Sequence, residues 1–215
     1  EKADKAFIES GSSLSVYPDG NSTLLKQKIS ERYGLKVNNI FCGAGSDEIL
    51  IFTVLTFCSP GDEIIHALHG FEMYPIMTKY AGAESVLASE IDFKINIDSI
   101  IENITEATKI IFIANPNNPT GTYLTNKELR ALMNKIPNNI VTVIDTAYAE
   151  FTDAHDYDKS FALADEYENV IITRTFSKAY SLAGIRLGWG YGSQKLIDMI
   201  KKLRPPFNLS PGTIA

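Results

Sequence analysis

The sequence is poor in several things, and each shortage closes off a class of protein. Only two cysteines, Cys42 and Cys58, occur in 215 residues, and both have apolar neighbours. They do not amount to a disulfide scaffold; buried free thiols in a reducing, cytoplasmic compartment are expected. The three histidines, His66, His69 and His155, stand at no metal-ligand spacing with Cys or Asp, so no metal site is expected. No apolar run reaches the length of about 18 residues that suggests a membrane span, and no signal peptide is visible. Positive charge is scarce as well. Lys and Arg number 20 against 26 Asp and Glu, a net charge of −6. That balance argues against a nucleic-acid or acidic-membrane surface while leaving room for a local basic pocket that takes one phosphate. There is no internal repeat and no low-complexity segment.

What is present is ordinary for a globular chain: 45% hydrophobic and 21% charged residues, in a length that suits one large domain over 1–215. Apolar runs alternate with segments of helical period. Strands are expected at Ile40-Phe41-Cys42, 63–68, 84–87, 109–114, 140–145, 170–173 and 187–191. Helices are expected at 22–33 with Gly34 as C-cap, from Ser46 through a buried apolar stretch to Phe57, at 71–80, from an Asp98 cap to about Ile104, at 126–135 behind a Thr125 capping box, and at 194–203. The strands are continuous apolar runs, which are buried on both faces. This predicts an α/β fold of three layers, αβα, with a mainly parallel, doubly wound sheet. Ligands in such sheets sit beyond the carboxyl ends of the strands.

Four segments at strand ends carry candidate chemistry. Lys178, in Thr175-Phe176-Ser177-Lys178, follows the strand 170–173; it is either a nucleophilic amine or a solvated surface lysine. Asp145 closes a very apolar strand, with Tyr148 three residues on. A carboxylate there needs a cationic partner such as a protonated pyridine nitrogen, or else serves as a helix N-cap. Asn115-Pro116-Asn117-Asn118-Pro119-Thr120-Gly121 is dense in residues that restrict or relax the backbone, and either holds an amide against a ligand oxygen or is a plain turn. Gly43-Ala44-Gly45-Ser46-Asp47-Glu48 leads into a helix whose exposed amides suit a phosphate, although a helix start requires no ligand. Thr175, Ser177 and Arg186 are further donors for such a phosphate.

Taken together, Ser177-Lys178-Ala179-Tyr180-Ser181-Leu182-Ala183-Gly184-Ile185-Arg186, Asn115–Gly121 and Asp145-Thr146-Ala147-Tyr148 resemble, in order and spacing, the motifs of the class-II aminotransferases, which are pyridoxal-phosphate enzymes. Within that family the pattern is similar to the histidinol-phosphate aminotransferases and their near relatives, from about Tyr17 to the C-terminus. The resemblance implies pyridoxal 5'-phosphate as cofactor and Lys178 as the Schiff-base lysine that also shuttles a proton. It implies Asp145 against the pyridinium nitrogen, and Asn118 and Tyr148 on the ring's phenolic oxygen. Ser46, Asp47, Thr175, Ser177 and Arg186 would hold the phosphate, with Asp47 acting through its amide and its side chain serving the helix end. Phe71 lies where relatives stack an aromatic on the ring, but equally suits a helix core. Tyr17 matches a tyrosine that relatives donate to a neighbour's phosphate, which would make the site the shared property of a homodimer; a surface or core tyrosine fits it as well. Thr146 stands where relatives often have Glu, with little effect expected.

The implied reaction is transamination between an amino acid, histidinol phosphate or an aromatic amino acid among them, and a 2-oxo acid. A decarboxylase or carbon–sulfur lyase on the same scaffold would share this constellation. Relatives also carry an N-terminal segment that closes over the site and a C-terminal small domain with the arginine that grips the substrate carboxylate. Neither is expected within Glu1–Ala215, so a truncated cofactor-binding remnant without activity stays open. A dinucleotide-binding dehydrogenase is disfavoured, because Gly43-Ala44-Gly45 lacks the third glycine and the acidic residue of that fingerprint.

Overall fold

The apolar runs become strands in a computed structural model that describes residues 2–215. In chain order, α1 (Lys2–Glu9) and α2 (Thr23–Tyr33) precede β1 (Ile40–Gly43), and α3 (Ser46–Phe57) leads to β2 (Glu63–Ala67). Next come α4 (Met73–Tyr80), β3 (Glu84–Ala88), a small hairpin of β4 (Glu90–Ile91) and β5 (Lys94–Ile95), α5 (Ile97–Glu102) and β6 (Thr108–Ala114). Then follow α6 (Asn126–Met133), β7 (Val141–Asp145), α7 (Phe161–Glu166), β8 (Val170–Thr175), β9 (Gly188–Gly192), α8 (Gln194–Lys201) and α9 (Pro211–Ile214).

Seven strands form one sheet in the order β1-β9-β8-β7-β6-β2-β3. From β8 to β3 every neighbour is parallel, whereas β9 runs antiparallel to both β8 and β1. The reversal has a simple cause. A parallel return needs a crossover helix, and the connection from β8 to β9 spends its residues on the Lys178 loop instead. Alternate residues of each strand face opposite layers and build two cores. Ile111, Ile113, Ile144 and Ile172 meet α2, α5, α6 and α7 on one face, while Ile110, Phe112, Val143 and Ile171 meet α3, α4 and α8 on the other. Each such side chain, fully buried, contributes about 1.5–3 kcal/mol.

Local signals mostly act as expected. Thr125 and Glu128 close a full capping box on α6, and Gly34, at φ 69°, ends α2 with its N–H on the Ser30 carbonyl. Three expectations need correction. Asn96, not Asp98, caps α5, its Oδ1 accepting the Asp98 amide at 3.0 Å. The helix expected at 71–80 starts at Met73, leaving Phe71 in the preceding loop. Although expected to be buried, α3 leaves Leu55 exposed, because only its Ile49, Leu50, Thr53 and Val54 face is covered. Among the described residues, no helix is long and apolar enough to cross a membrane.

Candidate functional site

The carboxyl ends of β6, β7 and β8 and the N-terminus of α3 enclose a cleft of about 200 Å³. Of the residues proposed from sequence, Ser46, Asp47, Phe71, Asn118, Asp145, Tyr148, Thr175, Ser177, Lys178 and Arg186 all line it. Tyr17 does not. It is 81% exposed, outside this chain's cleft, with its ring stacked on Phe207 at 4.5 Å.

The floor of the cleft is Asp145, the last residue of β7 and 5% exposed. Its Oδ1 accepts the Thr173 hydroxyl at 3.0 Å and the Ala147 amide at 3.3 Å; Oδ2 accepts the Tyr74 hydroxyl at 3.2 Å. Burial pushes the carboxyl up to about 6 from an ordinary 3.8, against the pull of these donors and with help from the negative charge of Asp47. Burial and the neighbouring Asp145 also raise the Tyr74 phenol well above its usual range, so it stays a donor. The Tyr74 ring is itself fixed, stacked on Phe112 at 4.5 Å. Thr173 and Tyr74 were not singled out in the sequence. Thr173 pairs with Asp145 across β7 and β8, a relation that only the strand register reveals. Thr146, next to Asp145, locks the same junction by donating its hydroxyl to the Thr173 carbonyl at 2.7 Å.

The three asparagines of the 115–121 loop divide their work. Asn115 is buried and clips Leu124 from both sides, Nδ2 to its carbonyl and Oδ1 from its amide. Asn117 Nδ2 donates to the His69 carbonyl and to Thr120 Oγ1, both at 2.9 Å. Asn118 alone of the three makes no side-chain hydrogen bond among the described residues, and it lines the cleft. The first two therefore set the loop, and the third keeps its amide uncommitted at the cleft. Phe71, also at the cleft, meets Tyr74 edge-on at 5.6 Å.

Lys178 lies on the loop after β8, its Nζ 5.3 Å from the centroid of the Tyr148 ring. The loop is closed by the Ser181 amide on the Lys178 carbonyl at 2.9 Å and anchored by Tyr180, whose hydroxyl pairs with that of Tyr33 at 2.9 Å. Beneath it, the fully buried Arg174 forms an ion pair with Glu150, two residues past Tyr148, and its guanidinium lies by the rings of Tyr33 and Phe161 at 5.8 and 5.6 Å. One buried cation thus braces the segments that carry both Lys178 and Tyr148.

At the opposite end, Arg186 is held on a left-handed backbone (φ 57°) and donates from Nη1 to the Ala183 carbonyl at 3.0 Å and to Ser177 Oγ at 3.4 Å. Its Nη2 lies 3.5 Å from Asp47 Oδ2. This corrects the expectation for Asp47: its side chain pairs with Arg186 rather than serving the helix end, where Glu48 instead accepts the Ala44 amide at 2.8 Å. Gly45, at φ 83°, holds a backbone conformation that residues with side chains rarely adopt, and a Cβ there, 2.5 Å from Arg186 Nη2, would also displace the end of that arginine. Gly188 is under a tighter limit, for a Cβ there would lie 2.2 Å from the Ser46 backbone nitrogen. The start of α3, Ser177 and Arg186 make an anion-compatible end: free amides, a hydroxyl and a guanidinium.

The family described as aminotransferase class I and II matches residues 1–215. The chain is 43% identical over 214 residues to the histidinol-phosphate aminotransferase of Maricaulis maris, covering 100% of this chain and 59% of that protein. It is 44% identical over 213 residues to the same-named protein of Roseobacter denitrificans, covering 99% and 59%. The crystal structure of histidinol-phosphate aminotransferase from Sinorhizobium meliloti in complex with pyridoxal-5'-phosphate matches with a TM-score of 0.93 at 25% identity, over 99% of this chain and 58% of that one. The chain therefore spans less than two thirds of the length of the relatives it matches.

Proposed function

The chain belongs to the class I and II aminotransferases, and from that premise we propose that residues 1–215 form the cofactor-binding domain of a histidinol-phosphate aminotransferase. The amino group of histidinol phosphate would pass to a 2-oxo acid. The substrate is taken from the relatives at 43% and 44% identity. The observation that carries the reading is convergence: Lys178, Tyr148, Asn118 and Asp145 come from three strand ends and meet in one cleft.

The cleft fits pyridoxal phosphate, the cofactor of this family. Asp145 is a buried carboxyl raised to about 6, a state that a protonated ring nitrogen would relieve by giving the carboxylate a counter-charge. Asn118 and Tyr148 line the cleft with polar side-chain groups that make no hydrogen bond among the described residues, and they would hold the ring oxygen. The start of α3, Ser177 and Arg186 would hold the phosphate, with Thr175 fixing the Ser177 amide through its Oγ1 at 3.1 Å. Phe71 would cover one ring face. When bound, the cofactor supplies an electron sink for bonds broken at the substrate α-carbon.

The protein's own part is positioning and proton handling. Lys178 would attach the cofactor through Nζ and, once displaced by substrate, carry the proton to and from the α-carbon at that same atom. Asp145, with Thr173 and Tyr74 donating to it, would hold the ring nitrogen protonated. Tyr17 is assigned to a neighbouring subunit's phosphate, in a homodimer; its exposure in this chain leaves it free for that role.

The test is borohydride reduction in the presence of pyridoxal phosphate, followed by peptide mapping. The cofactor mass should appear on Lys178 and vanish completely in Lys178→Ala. Reduction onto another lysine, or equal labelling of the variant, would sink the assignment. On the full-length protein, histidinol phosphate should convert the cofactor to its amine form; failure with that substrate alone would leave the cofactor site standing and refute the substrate.

A further inference from the structure

The end strand β1 flanks a second, smaller cavity of about 60 Å³ that shares no lining residue with the cleft. Three cationic side chains line it: Lys26 of α2, Lys201 at the end of α8, and Arg204 just beyond. Among the described residues no carboxylate lines it, in a chain whose net charge is −6. Lys26 is half-buried and has no ion pair among the described residues. Its nearest acid, Asp19, has both oxygens engaged by backbone amides, those of Asn21 at 2.9 Å and Thr23 at 2.6 Å. Lys201 lies 3.6 Å from Asp198 on its own helix and donates to the Asn38 carbonyl at 3.5 Å, so its one acidic neighbour among the described residues is exposed and outside the cavity. Arg204 commits Nη1 to the carbonyls of Pro205 and Pro206 and to Asn208 Oδ1, leaving its other nitrogens without a hydrogen bond among the described residues. Burial, and then the like charge of Lys201, lower the Lys26 amine from its ordinary value, as befits cations gathered without a counter-ion.

Ser22 adds an independent observation. It stands at the N-cap of α2, where a serine hydroxyl ordinarily accepts a first-turn amide. Here its backbone is left-handed (φ 49°, ψ 44°) and its hydroxyl caps nothing, because Asp19 has taken over that role. Ser22 is only 4% exposed, lines the cavity, and its hydroxyl has no partner among the described residues. The hydroxyl of this largely buried residue is therefore available to a group in the cavity.

We propose that this cavity binds a small oxyanion of the phosphate class, held by Lys26, Lys201 and Arg204 and by the Ser22 hydroxyl. The three cations supply charge-assisted donors and the serine a neutral one. The anion would join α2, α8 and the segment after α8 across the end of the sheet, so its effect is stabilisation of the fold rather than a part in the reaction.

The test is calorimetric titration of inorganic phosphate into the whole chain at constant ionic strength, with saturating pyridoxal phosphate present so that the cleft is filled. One saturable site is expected, weakened about tenfold in Lys26→Met and about fivefold in Ser22→Ala. The Arg186→Ala variant, which reports on the cleft, should keep the site intact. This arm separates the two sites even if the cofactor fails to bind. Absence of saturable binding overturns the proposal, as does binding lost in Arg186→Ala but kept in Lys26→Met. Ser22→Ala removes one oxygen and no charge, so it decides the matter if Lys26→Met does not fold.

Discussion

The two ends of the main cleft solve the problem of holding charge in opposite ways. At the floor, Asp145 is 5% exposed, fixed by three donors from β8, α4 and its own turn, and pushed toward neutrality. At the anion end, the side chains of Arg186 and Asp47 are 49% and 40% exposed and neutralise each other in water. The floor carries a standing desolvation cost that a cationic ring nitrogen would relieve. The anion end carries little, because water screens its charges, and its specificity resides in backbone geometry. Binding at one end is therefore coupled to fold stability and to pH, and at the other to salt.

The largest expected effect that tests this contrast is at the floor. Asp145→Asn should weaken pyridoxal phosphate binding about a hundredfold, as expected when one partner of a buried charge pair is removed. It should act on the cofactor-free protein in the opposite sense. The folded carboxyl titrates at about 6 and the ordinary one at 3.8. Between those values the folded chain keeps a proton that the unfolded chain has released, so stability falls as pH rises through the window. Above it the full cost stands, roughly 2–3 kcal/mol as an upper bound. Cofactor-free Asp145→Asn should thus melt about 5–10 °C above the parent at pH 8 and show no such gain near pH 3.5. An equal difference at both pH values would remove the floor's distinction.

A smaller effect is expected at the anion end. Arg186→Met should weaken cofactor binding about tenfold and flatten its dependence on sodium chloride, with the pH dependence of stability unchanged. The smallest belongs to Asp47→Asn, which removes a competitor for Arg186 in a solvated pair; binding should tighten by no more than about threefold. Loss of binding in Asp47→Asn would show that its carboxylate orients the guanidinium, and would make the anion end, like the floor, dependent on a fixed side-chain partner.

Much of this was readable from residue order, because the cleft is assembled from segments that immediately follow strands. Asp145 closes an apolar run and Lys178 and Asn118 each stand a few residues past one, and a parallel sheet brings such positions together whatever the details. What escaped the sequence depends on relations across the chain. Tyr74 looks like a core residue of α4, and only packing shows its hydroxyl on Asp145. Thr173 is one of two β8 threonines until the register sets it beside Asp145. The hairpin of β4 and β5 turns through Asp92 and Phe93, both left-handed (φ 50° and 62°) and neither a glycine, so the usual turn signal is missing. The direction of β9 was hidden too, since its residues read the same either way along the sheet. The pairing of Asp47 with Arg186 links a helix start to a loop more than a hundred residues away.

Gly188 touches no ligand position and contributes no side chain, yet its missing carbon is what lets β9 pass against the first amide of α3. In a population of variants this site would behave like an active-site residue. A library randomised there should return almost only glycine, while neighbours whose side chains point into solvent drift freely. Selection for cofactor affinity would then be recorded at a residue that binds nothing, and a search for functional positions that looks only at reactive groups would pass it by.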